Sequence, residues 1–228
     1  MFDVKKMVEE IVSKKEIKNI SFTGVGGSLA CFYAPYYYVM REAKNITTSY
    51  TSSNEFVHDT PSCVGENSIV VISSRGGNTA ETVEAGRVAK KLGATVVGMT
   101  HEDEDNGIKE VSDYVILFKD LSEDVYEVSK TGYILKIAME TLHQVEGSGQ
   151  YEAMCDAMKK MNTLIPSAEK AIVTEAIKFS IDYKNDKIIY TMGSGTAWSA
   201  AQQQQICIFM EMQWINSAVI HTGEFFHG

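Results

Sequence analysis

The chain has 228 residues, of which 44% are hydrophobic and 22% charged, as in an ordinary globular protein. Its formal net charge of −9 argues against nucleic acid or an anionic membrane as a partner, because both require basic surfaces. The sequence contains no apolar run of the roughly 18 residues that a membrane span needs. Four widely spaced cysteines form no C-x-x-C pair. We therefore expect a cytoplasmic protein whose cysteines are reduced and lie in the core.

The first half of the chain alternates apolar strands with helical segments. It begins with an amphipathic charged helix within residues 1–17, followed by a short strand around Ile20 and Phe22. Further strands are predicted at 68–73, 95–100 and 113–118. Strands that alternate with helices pair in parallel, and helices then cover both faces of the sheet. The apolar runs do not alternate in polarity, which is typical of strands buried on both faces.

The second half is mostly helical up to residue 180, with a break at 147–150 and an interruption expected at Pro166. A strand follows at 187–192, then a glycine-rich turn and a long helix. Residues 190–198 repeat the pattern of 22–30, which indicates an internal βα repeat, although two βα turns can look alike without being related. Only one strand of this second unit is evident. We therefore expect it either to join another chain or, as we favour, to belong to a longer protein.

Three turns place glycines and hydroxyl side chains directly before helices, at 24–28, 73–79 and 193–196. A phosphate binds well at such turns, because they offer N–H and O–H donors at the positive end of a helix dipole. Neither the dinucleotide fingerprint nor a Walker lysine is present, which disfavours a nucleotide. Asn78 and Glu81 fit a capping box that would begin the helix there. Each turn alone could equally be a plain βα connection.

The turn at 74–79 resembles the sugar-phosphate loop of SIS (sugar isomerase) domains, Ser-x-Ser-Gly-x-Thr, with Gly76 in place of the second serine. The turn at 25–28 is similar to the first turn of that family, with valine for its cysteine. The segment 210–228 strongly resembles bacterial fructosamine-6-phosphate deglycases, and less closely the isomerase half of glucosamine-6-phosphate synthase. The resemblance extends over the chain from about residue 18.

The resemblance implies an α/β fold, namely the flavodoxin-like three-layer α/β/α SIS fold with a mainly parallel sheet, plus the start of a second SIS subdomain. The corresponding division has four parts. These are an N-terminal helix at 1–17, a first SIS subdomain at 18–146, a helical connector at 147–184 and a truncated second subdomain at 185–228.

The family pattern also implies the site. A glutamate that ends a helix, Glu211, would be the catalytic base, and His227, 16 positions later, would assist ring opening. Eight residues would contact the substrate and its phosphate: Gly27, Ser28, Ser74, Arg75, Gly76, Asn78, Thr79 and Ser129. No cofactor is required. Glu224 and His227 have the i, i+3 spacing that di-iron sites use, but no metal is expected.

The implied activity is cleavage of a phosphorylated fructosamine, such as fructoselysine 6-phosphate, to glucose 6-phosphate and a free amine or amino acid. Family members are dimers with shared sites, so a homodimer or higher homo-oligomer is expected. Two alternatives stay open at this point: an aldose–ketose or synthase-like isomerase, and a non-catalytic sugar-phosphate sensor. Taken singly, Glu211 could be a solvated or salt-bridged residue and His227 a core histidine.

Overall fold

A computed structural model describes residues 1–120 and 125–227 of the chain. Residues 121–124 and Gly228, which fall in the predicted segments 18–146 and 185–228, lie outside the described residues. We divide the chain at residue 147 into a first and a second region. The elements of the first region are α1 (Val4–Lys14), β1 (Asn19–Gly24), α2 (Gly26–Glu42), β2 (Thr47–Ser52), α3 (Ser53–His58), β3 (Ser68–Ser73), α4 (Ala80–Lys91), β4 (Thr95–Thr100), α5 (Gly107–Val111), β5 (Tyr114–Leu117), a 3₁₀ turn (Tyr126–Val128) and α6 (Lys130–Glu146).

The five strands form one parallel sheet in the order β2-β1-β3-β4-β5. The first strand of the sheet is β1. The chain then forms β2 at one edge and returns past β1 to add β3, β4 and β5 on the other side of β1. The order therefore reverses between β1 and β3, and the carboxyl ends of these two strands border a crevice. This confirms the predicted mainly parallel α/β sheet, and the edge at which open α/β sheets commonly bind ligands lies at the turns after Gly24 and Ser73.

The sheet is buried on both faces. Every residue of β1, β3 and β4 is buried. One face packs against α1, α2 and α6 through a cluster that includes Phe22, Phe32 and Ile134, and the other face packs against α3, α4 and α5 around Ile72 and Ile108. The three layers follow from the uniformly apolar strands, since a strand without a polar face needs cover on both sides.

The second region contains α7 (Tyr151–Tyr183), β6 (Ile189–Gly193), α8 (Ala197–Gln203), a π-helix (Gln204–Met212) and β7 (Ser217–His221). β6 and β7 pair in parallel, with Tyr190 opposite Ala218 and Met192 opposite Ile220. The prediction of a single strand in this region was therefore wrong. β7 is only five residues long and half-exposed, and its sequence SAVIH contains a short apolar run of three residues.

Strand β2 was missed for a related reason. It reads TTSYTS, forms the edge of the sheet and is only partly buried, so that its hydrogen bonds to β1 rather than apolar side chains define it.

The prediction that the cysteines lie in the core was wrong for three of the four. Cys31 is buried, but Cys63 is exposed, and Cys155 and Cys207 are half-buried.

The interruption expected at Pro166 does not occur. The proline lies inside α7, which is 33 residues long and unbroken. Proline cannot donate to the carbonyl four residues earlier, that of Asn162. Asn162 is exposed, so water can satisfy that carbonyl, and the cost of the proline is reduced.

None of the helices within residues 1–120 and 125–227 combines the length and apolarity that a membrane crossing requires.

Candidate functional site

An open cavity of about 700 Å³ lies at the carboxyl edge of the sheet, where the strand order reverses. It is bordered by the turns that follow β1 and β3, the segment after β5, the start of α6, and the α8–π-helix segment. The residues that line it are Val25, Gly27, Ser28, Cys31, Ser73, Ser74, Arg75, Gly76, Thr79, Phe118, Lys119, Asp120, Ser129, Lys130, Thr131, Gln203, Cys207 and Glu211. Of the ten predicted site residues, eight therefore border one cavity, and Asn78 and His227 do not.

The turn after β3 forms a cradle of hydroxyl and amide groups, which we define as residues 74–79. The hydroxyls of Ser74 and Thr79 lie 2.8 Å apart. The carbonyl of Arg75 accepts hydrogen bonds from the His101 amide and the Thr100 hydroxyl, both at 3.0 Å, which ties the cradle to the end of β4. These bonds hold the cradle in place without a ligand.

Gly77 gives the cradle its shape. Its φ of 74° lies in the left-handed region, and a Cβ atom there would come 2.2 Å from Cγ of Asn106. Only glycine therefore allows this turn to pass so close to the start of α5.

The capping box predicted for Asn78 and Glu81 is wrong. Helix α4 begins one residue later, with Thr79 as N-cap and no side-chain capping bond. The side-chain oxygen Oδ1 of Asn78 instead accepts a hydrogen bond of 2.9 Å from the Gly107 amide. Asn78 thus joins the cradle to α5, while the first-turn amides of α4 have no side-chain cap.

Arg75 is held by a carboxylate at the rim of the cavity. Its two terminal nitrogens donate to the two oxygens of Asp120, at 2.5 and 2.7 Å. These hydrogen bonds from Arg75 hold the pKa of Asp120 below its usual value. The charge of Arg75 is therefore largely offset before any ligand binds.

Ser129 is the N-cap of α6 and lies directly before its first residue. Its hydroxyl accepts a hydrogen bond of 3.1 Å from the Gly132 amide and donates one of 2.7 Å to the Tyr126 carbonyl. It also borders the cavity, so its capping role and the substrate contact predicted for it concern the same hydroxyl. Its neighbour Lys130 reaches across to Ser28, with 3.3 Å between Nζ and Oγ.

Glu211 reaches the cavity from the second region because α8 packs against α2. Ser199 of α8 donates a hydrogen bond of 2.6 Å to the Ala30 carbonyl. A Cβ atom on Gly27 would come within 3.6 Å of the Cys207 sulfur, so the π-helix lies directly against the first turn of α2. Burial raises the pKa of the Cys207 thiol, and the nearby Glu211 carboxylate raises it further. Glu211 is thus brought to the cavity that the cradle borders.

His227 lies elsewhere. It follows β7, its side chain is exposed, and its amide donates to the Glu224 carbonyl at 2.9 Å. One chain therefore does not bring His227 into the cavity that holds Glu211. Its role at a site shared with a second copy stays a prediction.

Several cavity residues were not among the predicted site residues. Ser73 is 1% exposed, and its hydroxyl has no hydrogen-bond partner among residues 1–120 and 125–227. Its position as the last residue of a buried strand was the available clue, since polar side chains there face the ligand edge. The positions of Gln203 and Phe118 in the sequence gave no comparable indication that they line the cavity.

No three His, Cys, Asp or Glu side chains within the same ranges group closely enough to hold a metal ion.

Comparison with known proteins shows what the chain resembles. It is 35% identical over 214 residues to the fructosamine deglycase FrlB of Bacillus subtilis (strain 168), which corresponds to 94% of this chain and 65% of FrlB. It is 25% identical to a glutamine–fructose-6-phosphate aminotransferase of Clostridium tetani, over 84% of this chain and 32% of that protein. The chain thus spans less than two thirds of the length of either relative.

A solved structure agrees. A Salmonella typhimurium LT2 protein, provisionally assigned as a phosphosugar isomerase, superimposes with a TM-score of 0.95 at 40% identity, covering 99% of this chain and 68% of that one. The family model described as "SIS domain" matches residues 11–129, more than half of the chain and all five strands of the first sheet. The resemblance drawn from the turns and from 210–228 is confirmed, and the chain belongs to the SIS domain family.

Proposed function

We propose that this chain is part of a sugar-phosphate deglycase that cleaves a phosphorylated fructosamine to glucose 6-phosphate and a free amine or amino acid. The observation that carries the proposal is that the carboxylate-bearing residue Glu211 borders the same cavity as the cradle of hydroxyls and amides at 74–79. The similarity to FrlB, a fructosamine deglycase, supports the choice of reaction.

In this proposal the cradle binds the phosphate of the substrate. The hydroxyls of Ser74 and Thr79 are donors, and the uncapped amides of α4 add the positive end of a helix dipole. Because bonds to β4 and α5 already hold the cradle, little ordering would be needed on binding. The sugar would then extend from the cradle toward Glu211.

Glu211 would act as a general base. It would take a proton from C1 of the open-chain fructosamine to give an enaminol, and return a proton to C2 to give an aldimine. Water would then add across the C=N bond and release glucose 6-phosphate and the amine. No electrons leave the substrate, so the reaction needs no oxidant. Opening of the sugar ring is assigned to His227, which would come from a second copy of the chain in a homodimer.

The proposal is tested by incubating the protein with fructoselysine 6-phosphate and coupling the released glucose 6-phosphate to a dehydrogenase. Wild-type protein should release product. Glu211→Gln should lower kcat by about 10²–10⁴, the range for loss of a general base, while affinity for glucose 6-phosphate is kept. Glu175→Gln, which removes an exposed carboxylate on α7, is the matched control and should behave as wild type.

Other outcomes would replace the proposal. Interconversion of fructose 6-phosphate and an aldose phosphate, without action on the fructosamine, would make the protein an isomerase. Tight binding of sugar phosphate with no turnover of any of these compounds would make it a sensor.

A further inference from the structure

The charged residues around the cavity carry a local excess of positive charge. Three cations and two carboxylates line it, in a chain whose net charge is −9. The three cations differ in their surroundings. Arg75 is paired with Asp120 through two hydrogen bonds, and Lys119 is exposed. Lys130 is the half-buried one, and its surroundings are unusual.

In the part of the chain that the structure describes, the surroundings of Lys130 do not offset its charge. Within residues 1–120 and 125–227 no carboxylate lies within 4.0 Å of its ammonium. It is the first residue of the 17-residue helix α6, where the helix dipole is positive and a cation is unfavourable. The contacts that it makes are to the Ser28 hydroxyl at 3.3 Å and to the ring of Phe118 at 5.4 Å. Both can orient the side chain, but neither neutralises it.

The ammonium also lies within electrostatic reach of several walls of the cavity. Burial raises the pKa of the thiols of Cys31, on α2, and Cys207, on the π-helix, and Lys130 opposes both rises. Lys130 also contributes, after Arg75, to the lowered pKa of Asp120. A positive charge thus faces the open space between the cradle and Glu211, where a sugar phosphate would lie.

We propose that Lys130 is the cation that binds the phosphate of the substrate, with the Ser28 hydroxyl as a second donor to the same group. The cradle supplies neutral donors, and Arg75 already faces a carboxylate, so a dianion needs a further positive charge. Lysine acts on phosphate as a point charge and does not need the planar geometry of arginine. This inference rests on the proposed function, since it takes the cavity to be a sugar-phosphate site.

The test is calorimetric titration of glucose 6-phosphate and of glucose into four proteins: wild type, Lys130→Met, Lys130→Arg and Lys91→Met. Lys130→Met should weaken glucose 6-phosphate binding by at least about tenfold, as expected when a charged hydrogen bond is lost, and should remove most of its salt dependence. Lys130→Arg should recover part of the affinity. Lys91→Met, at the opposite end of α4, makes the same charge change away from the cavity and should bind as wild type. Circular dichroism checks that each variant is folded.

Two results would overturn the inference. They are equal affinity of wild type and Lys130→Met for glucose 6-phosphate, and no binding of this ligand by the wild type. Because these titrations do not require turnover, an inactive wild type that binds glucose 6-phosphate through Lys130 would refute the deglycase and leave this inference standing.

Discussion

The regions before and after residue 147 both border the cavity, but they are built to very different degrees of burial. Three strands of the first region are buried at every position, whereas β6 and β7 of the second are mostly half-exposed or exposed. Helix α7 buries only Tyr151 and Met158 and leaves Ile172, Ile177 and Ile181 more than half exposed. The core of the first region therefore sets the cradle, while Glu211 depends on how α8 and the π-helix pack on α2.

A pair of turns shows the same contrast at smaller scale. Gly26 and Gly195 each lie two residues after the last residue of a strand, Gly24 and Gly193, and have φ values of 52° and 55°. The two turns thus share a left-handed glycine at the same distance from the strand, in a register one residue different from the pairing of 22–30 with 190–198. The first turn leads to the cavity, whereas the second packs near the Tyr37 side chain.

The largest expected effect compares two phenylalanines. Phe22 is fully buried in β1, and Phe179 on α7 is 42% exposed. Phe22→Ala should lower the free energy of unfolding by about 3–5 kcal/mol, because it leaves a cavity in the core. Phe179→Ala should change it by no more than about 0.5 kcal/mol. Urea denaturation of both variants measures the difference, and equal losses would show that something covers α7 in solution.

A buried carboxylate joins the two regions and should have the next largest effect. Glu140 of α6 is fully buried and accepts hydrogen bonds from Tyr151 of α7 and from Gln144, with Lys136 at 2.9 Å. Glu140→Gln leaves the Lys136 charge unpaired and should cost about 3 kcal/mol, at the lower end for a broken buried pair. Glu152→Gln, an exposed change on α7, is the control.

The same carboxylate predicts a pH dependence. Burial acts to raise the pKa of Glu140, but the hydrogen bonds from Tyr151 and Gln144 and the charge of Lys136 outweigh it, so the pKa is lowered from 4.5. A lowered folded-state pKa stabilises the protein above the unfolded value, and this stabilisation is lost as pH falls through the folded value. Wild-type stability should therefore fall more steeply below pH 4.5 than that of Glu140→Gln. Parallel curves would contradict this.

The cradle glycine should have a smaller effect. Gly77→Ala must adopt a left-handed conformation and displace Asn106, so it should cost at least about 1–2 kcal/mol. Gly76→Ala has open space around it and no positive φ, and its stability should be nearly that of wild type. Thermal melting of the two variants distinguishes strain at one position from a general intolerance of the turn.

Ser74→Ala should have the smallest effect and would sharpen the division between binding and chemistry. Removing one hydroxyl from the cradle should weaken glucose 6-phosphate binding by about fivefold, as expected for a neutral hydrogen bond, and leave kcat unchanged. Calorimetric titration of glucose 6-phosphate and steady-state kinetics with fructoselysine 6-phosphate check this. A lower kcat with an unchanged KM would assign Ser74 to the chemical step instead.

The sequence by itself determined the parts that depend on local pattern: the buried strands β1, β3 and β4, the glycine turns after them, and the family that these turns and residues 210–228 resemble. The tertiary structure alone decided which side chains meet across the fold. The Arg75–Asp120 pair joins residues 45 positions apart, and the Lys130–Ser28 contact joins residues 102 apart. Strand β2 depended on its partner because TTSYTS carries few apolar side chains, and β7 depended on its partner because it is only five residues long and half-exposed. Pairings over such separations depend on how whole elements pack, which no short stretch of sequence specifies.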